Sequence, residues 1–244
     1  MSRSDKIVEW IRAKVREAGA KGCVFGLSGG LDSSVVGVLC KKAFPDNVLG
    51  LILPCYSVAE DLKDAQALAG KNMVPTKLID LEPVLNQLFL QFEGKAYDGK
   101  EMSLAVANLK PRLRMVAMYY HANKNNYLVV GTGNRSEAAM GYCTKHGDGG
   151  VDLLPLGNLL KTEVRELARE LEIPEKIIQK VPTAGLWPGQ TDEGEMGISY
   201  AELDKIILGL DTNELSGLDS KLVEKVKKRK QETRHKFEPP PSFQ

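Results

Sequence analysis

Three short runs dominated by apolar residues, at 23–26, 48–53 and 127–131, and a mixed strand-like run at 76–80 recur along the chain with helix-periodic segments between them. Runs this short, with little polar alternation, are the pattern of strands covered on both faces, and a strand followed each time by a helix leads to a parallel neighbour rather than a hairpin. The intervening segments 33–44, 59–70, 81–92 and 103–123 read as helices, and Pro111 is expected to divide the last or to sit near its start. The predicted architecture is therefore α/β, a doubly wound parallel sheet with helices on both faces. A leading helix capped by Ser4 carries Ile7, Trp10, Ile11 and Val15 at helical spacing. Beyond the fourth strand, helices are predicted at 162–171, 200–208 and 221–235, and Pro239, Pro240 and Pro241 end the ordered chain. A length of 244 residues suits one domain, 1–244.

Two stretches do not fit that rhythm. Residues 131–150 are glycine-rich and too sparse in apolar residues to be a core element, and residues 182–197, with Gly185, Gly189 and Gly194, read as a mobile lid. Loops of such length inside a compact domain are commonly functional. Thirty-three basic and thirty-two acidic side chains leave a net charge of +1, so no overall field draws the chain to nucleic acid. No stretch approaches the roughly 18 apolar residues of a membrane span. Cys23, Cys40, Cys55 and Cys143 stand singly, read as core and point to a reducing, cytoplasmic setting. His121 reads as a surface residue and His146 as a loop residue.

The most informative loop follows the first strand: Gly26, Leu27, Ser28, Gly29, Gly30, Leu31, Asp32, Ser33 and Ser34. Glycines and serines between a strand and a helix turn backbone N–H groups into a concavity at the helix N-terminus, where the dipole also favours an anion. The loop lacks the lysine of the GxxxxGK[ST] nucleotide loop, and no GxGxxG occurs. Asp32 beside phosphate is reasonable when Mg²⁺ lies between them. The reading is a cradle for metal-bound polyphosphate.

The string SGGLDSS resembles the pyrophosphate loop of the ATP pyrophosphatases, which split ATP between its α- and β-phosphates to adenylate a substrate. Further segments narrow the resemblance: LKPRLRM at 109–115, GTGNRSE at 131–137, TKHGDGGVDLLPL at 144–156, LKT at 160–162, PTA at 182–184, TDE at 191–193, GISY at 197–200 and the pair His235 and Lys236. Together they are similar to the ammonia-dependent NAD synthetases. That resemblance implies an adenine nucleotide alpha hydrolase-like, Rossmann-like fold. It implies a C–N ligase: the carboxylate of deamido-NAD attacks the α-phosphate of ATP, pyrophosphate leaves, and ammonia displaces AMP to give NAD.

By the same resemblance, the 26–33 loop holds the phosphates of ATP, with Thr132, Lys161 and Thr183 as further ATP contacts. Asp32 and Glu137 hold Mg²⁺, and these two with Lys161 form the catalytic set. Arg112, Lys145, Asp152, His235 and Lys236 hold deamido-NAD. Asp192 and Glu193 match acidic lid positions, and Pro111 replaces a small residue before Arg112. A homodimer is implied, with helix 104–121 supplying apolar contact. With the loop already at residue 26, the reading leaves no N-terminal glutaminase domain. Nucleic acid and membrane are not expected partners. Two competing readings are a tRNA-modifying adenylating enzyme, which the missing CxxC disfavours, and a non-catalytic nucleotide-binding module.

Overall fold

The computed structural model describes residues 1–99, 103–187 and 189–243. The first helix, α1 (Arg3–Glu17), starts from a reciprocal capping box: the Ser2 hydroxyl accepts from the Asp5 N–H, and the Asp5 carboxylate accepts from the Ser2 N–H. The expected cap, Ser4, lies instead inside the first turn and is buried. Ser2 wins because only it has an acidic residue three positions on to close the box.

There follow β1 (Gly22–Gly26), α2 (Leu31–Ala43), β2 (Val48–Ile52), α3 (Ala59–Lys71), β3 (Thr76–Leu78), α4 (Glu82–Glu93), α5 (Leu104–Asn125) and β4 (Tyr127–Val129). The four strands are parallel in the order β3-β2-β1-β4, with Val24 level with Leu49 on one side and Val129 on the other. Residues along β1 alternate between two cores. Cys23 and Phe25 face a cluster with Val35, Leu39, Leu68 and Val164, whereas Val24 faces Leu51, Leu85, Met118 and Val129. Both faces of the sheet are thus covered at β1 and β2, which is why these two strands read as continuous apolar runs, while all three residues of the edge strand β3 are exposed.

Pro111 neither divides α5 nor starts it. It withdraws one helical hydrogen bond, but Val106, Ala107 and Lys110 before it and Met118 after it are buried and keep the helix continuous. The same buried face includes His121, which is 6% exposed rather than a surface residue. The chain continues through α6 (Arg135–Met140), α7 (Lys161–Glu170), α8 (Glu175–Ile178), α9 (Asp192–Met196), α10 (Tyr200–Thr212), α11 (Ser220–Glu232) and a 3-10 turn at Arg234–Lys236. The 131–150 stretch therefore contains a helix that its apolar content did not announce. α6 is set by a capping box between Asn134 and Glu137 and buries only Ser136 and Met140. Likewise α9 lies within 182–197, capped by Thr191, and Pro188 of that segment lies outside the described residues. α6, α9, α10 and α11 share a second core around Tyr200, Leu203 and Val226.

Candidate active site

The chain leaves β1 for β2 on one side and returns to β4 on the other, so the carboxyl ends of β1 and β4 flank the point where the strand order reverses. Open α/β sheets bind ligands in the crevice formed there. A cavity of about 1160 Å³ occupies this position, bordered by the loop after β1 and by Val130, Gly131 and Thr132 after β4. Its volume exceeds the roughly 300–1,000 Å³ of most small-molecule sites, enough for two nucleotides together.

Serine hydroxyls organise the loop itself. Ser28 Oγ lies 2.9 Å from Ser33 Oγ and accepts the Gly30 N–H at 3.2 Å, and the Ser34 hydroxyl donates to the Gly30 carbonyl at 2.7 Å. Gly30 caps α2 without a side-chain oxygen, so no side chain competes for the first-turn N–H groups. Gly26, Leu27, Ser28, Gly30, Leu31, Asp32 and Ser33 border the cavity, whereas Gly29 faces away from it. Gly29 has φ +82°, and a Cβ there would stand 2.1 Å from the Asp61 carbonyl oxygen, so both conformation and space require glycine.

Lys161 is the centre of the charged site. Its ammonium is 2.5 Å from Asp32 Oδ2, 3.2 Å from Glu137 Oε1 and 4.9 Å from the centre of the Tyr200 ring. Asn134 donates to the other Asp32 oxygen at 3.1 Å, and Tyr200 OH donates to Asp192 Oδ2 at 3.0 Å. The start of α7 is fixed from two sides. The Lys161 N–H donates to Ser136 Oγ at 2.9 Å, the Thr162 N–H donates to Asp204 Oδ2 at 2.9 Å, and the Ser136 hydroxyl donates to Asp204. Burial alone would lower the Lys161 pKa, but Asp32 and Glu137 outweigh it and the net shift is upward. Burial pushes Glu137 up to about 7, with Asp32 adding to the rise against the pull of Lys161. Two carboxylates and one ammonium leave an excess of negative charge that a divalent cation would relieve.

The donor set fits Mg²⁺. Asp32 and Glu137 are hard oxygen donors from α2 and α6 converging on one point beside the phosphate loop, and Mg²⁺ is usually held by one or two carboxylates with substrate phosphates and water. Among the described residues no cluster of three or more metal-ligating side chains forms a self-sufficient cage.

A second stretch of wall carries Arg112, Lys145, His235 and Lys236, all on the same cavity. Their cations rest on backbone oxygens. Lys236 donates to the carbonyls of Gly141 and Cys143, both at 2.7 Å, Lys145 to that of His235 at 2.7 Å, and Arg112 to that of Lys145 at 3.4 Å. Thr183 borders the cavity from the 182–197 segment. Asp152 does not border it: its carboxylate accepts from Tyr119 OH at 2.9 Å and from the Val129 N–H at 2.8 Å, beside β4. Of the lid acids, Asp192 is on the wall, while Glu193 accepts the Tyr200 N–H at 2.8 Å and so serves the start of α10. Three of the cysteines are buried as expected; Cys143 is half-buried on the wall, and burial, with Asp148, pushes its thiol up to about 11, away from a nucleophilic thiolate.

Several site residues went unread in the sequence. Asn134 and Tyr200 sit within recognised segments, yet nothing in their spacing says that one holds Asp32 and the other lies under Lys161. Lys110 is 4% exposed, and its ammonium donates to the Leu186 carbonyl of the lid segment at 2.5 Å. A lysine inside an apolar helix pattern was the available signal.

Residues 3–240 match the family model described as NAD synthase. The NH(3)-dependent NAD(+) synthetase of Carboxydothermus hydrogenoformans is 50% identical over 234 residues, 96% of this chain and 93% of that protein. Among solved structures, NMN synthetase from Francisella tularensis has a TM-score of 0.89 at 34% identity, covering 99% of this chain and 97% of that one. The NH3-dependent NAD synthetase from Campylobacter jejuni, solved with the nitrate ion, has a TM-score of 0.84 at 31% identity, with the same coverage.

Proposed function

The chain belongs to the NAD synthase family, and on that premise we propose that it is an ammonia-dependent NAD synthetase that adenylates the nicotinate carboxylate of deamido-NAD with ATP and then lets ammonia displace AMP. The observation that carries the reading is Lys161 bridging Asp32 and Glu137 beside the 26–33 loop. The reaction builds negative charge on the departing pyrophosphate, and fixed cations and backbone N–H groups placed in advance where that charge forms are the main means of lowering such a barrier. The loop donors hold the β- and γ-phosphates. Lys161, anchored through its own backbone to Ser136, keeps a positive charge at the bond that breaks.

Asp32 and Glu137 would hold Mg²⁺, which supplies charge neutralisation on the polyphosphate when bound. Thr132 and Thr183 complete the ATP side. On the other wall Arg112, Lys145, His235 and Lys236 receive the pyrophosphate of deamido-NAD, and Asp152 is assigned to its ribose by resemblance alone. The 182–197 segment excludes water from the acyl-adenylate, as hydrolysis would waste it. Free ammonia is the donor, and residues 3–240 work as one synthetase domain.

A homodimer is part of the same reading. Leu104, Val116 and Tyr120 on α5 are 58–70% exposed, and Phe92 at the end of α4 is 65% exposed, an apolar surface that a second copy would cover. The cytoplasm is the compartment, supported by free buried cysteines and by the lack, among the described residues, of any helix long and apolar enough to cross a membrane.

The test is a product assay with ATP, Mg²⁺, deamido-NAD and either ammonium or glutamine. NAD, AMP and pyrophosphate in equal amounts with ammonium are expected; no NAD from either donor overturns the reading. Because one structural neighbour is an NMN synthetase, a parallel arm replaces deamido-NAD with nicotinic acid mononucleotide. A higher kcat/KM for the mononucleotide would reassign the acid substrate while keeping the chemistry.

A further inference from the structure

Lys180 has no part in the mechanism above, yet it touches the back of the phosphate loop. Its ammonium donates to Asp64 Oδ2 at 2.5 Å, to Asp61 Oδ1 at 2.7 Å and to the Gly29 carbonyl at 3.2 Å. The Gly29–Gly30 peptide is held at both ends, its carbonyl by Lys180 and its N–H by Ser28 Oγ at 3.2 Å. On the same side the Asp61 backbone presses so close to Gly29 that no Cβ fits. Lys180 stands two residues before Pro182, whose carbonyl accepts the Asp192 N–H at 3.0 Å at the far end of the lid segment.

A lysine bordering this cavity has an obvious alternative role as a direct phosphate ligand. Charge accounting argues against it. Asp61 and Asp64 both engage Lys180, and Asp64, whose side chain is only 7% exposed, is shared with Lys176 at 2.8 Å, which also pairs with Glu60. With Lys63 3.8 Å from Glu60, three carboxylates face three ammonium groups, and the positive charge of Lys180 is already matched within the protein by two carboxylates of its own.

We propose that Lys180 is a positioning residue for ATP: clamped by Asp61 and Asp64, it fixes the Gly29–Gly30 peptide so that the loop donors stay turned toward the phosphates, and it ties that loop to the root of the 182–197 segment. The proposal rests on reading the 26–33 loop as the ATP site.

Steady-state pyrophosphate release by the full-length protein separates the two roles. Lys180→Met is expected to raise KM for ATP about tenfold, a loss of uniform binding, while KM for deamido-NAD stays within about twofold and Lys180→Arg recovers most of the difference. Asp61→Asn carries the sign. If Lys180 is a strut, loosening its clamp raises KM for ATP; if Lys180 is a phosphate ligand, freeing it lowers that KM, which overturns the proposal. An unchanged KM for ATP in Lys180→Met overturns it as well. Should Lys180→Met fail to show a cooperative thermal transition, Asp61→Asn decides alone, because the Asp61 side chain is already a quarter exposed. Wild-type protein that releases no pyrophosphate would refute the ATP-site reading itself, whereas active wild type with unmoved variants would refute only the strut.

Discussion

The two walls of the cavity hold their cations in different ways. On the phosphate-loop wall each lysine has carboxylate partners, Lys161 with Asp32 and Glu137, and Lys180 with Asp61 and Asp64. On the second stretch of wall Lys145, Lys236 and Arg112 lie on backbone carbonyls. A carbonyl dipole positions an ammonium group without cancelling its charge, whereas a carboxylate cancels it. The first wall therefore holds its ammonium groups neutralised, with carboxylate charge to spare at Lys161, and changes state when its carboxylates find another cation. Among the described residues the second wall's cations form no ion pair, although the Asp148 carboxylate acts on Lys236 from a distance, so they are better placed to meet an anion. Under the proposed function, the same residue type would serve preorganised chemistry on one side and plain recruitment on the other.

If that contrast is right, the walls respond differently to substitution. Lys161→Met is expected to show the largest effect, a fall in kcat of about 10²–10³-fold, the usual cost of losing one preorganised charge partner of a transition state. The measurement is NAD formation at saturating substrates; a change in KM alone would make Lys161 another recruiting cation and erase the contrast. Lys236→Met should raise KM for deamido-NAD by about tenfold with kcat within about threefold. A collapse of kcat there would move the second wall into the chemistry.

Asn134→Ala probes the join between stability and site. It removes the α6 cap, with an expected cost of about 1 kcal/mol in chemical denaturation. It also releases one oxygen of Asp32, so half-maximal velocity should require more Mg²⁺. Destabilisation without any shift in Mg²⁺ demand would confine Asn134 to capping.

Much of this was legible before the structure. The apolar runs located β1 and β2 because a strand buried on both faces cannot hide its composition, whereas the exposed β3 was found from its place in the strand–helix rhythm. The loop after β1 was read as a cradle from its glycines and serines, and it borders the cavity. The short helices α6, α8 and α9 were not legible, since pieces of four to six residues take their stability from caps and tertiary contacts rather than from a periodic apolar face. The motif residues on the cavity were found by resemblance, but Lys180, Lys110 and Tyr200 meet partners 39 to 151 positions away. Pairings over such distances belong to topology, and no local pattern encodes them.

Asp152 belongs to neither wall, and the smallest prediction concerns it. Its carboxylate joins Tyr119 on α5 to the end of β4. Burial, with the Asp152 carboxylate, pushes Tyr119 up to about 12. A tyrosine whose folded pKa lies above the unfolded value near 10 contributes stability that is complete below pH 10 and disappears as the pH rises to about 12. Because Tyr119 is only partly buried, screening reduces that contribution to about 1 kcal/mol. Tyr119→Phe should therefore denature about 1 kcal/mol more easily at pH 8 and should lose less stability than wild type between pH 10 and 12. Measuring KM for deamido-NAD in Asp152→Asn then places the residue. If KM is unchanged while the melting temperature falls, Asp152 joins sheet to helix, and substrate recognition lies with the carbonyl-held cations. If KM rises severalfold without loss of stability, the recruiting wall extends past β4, and its charge includes an acceptor as well as donors.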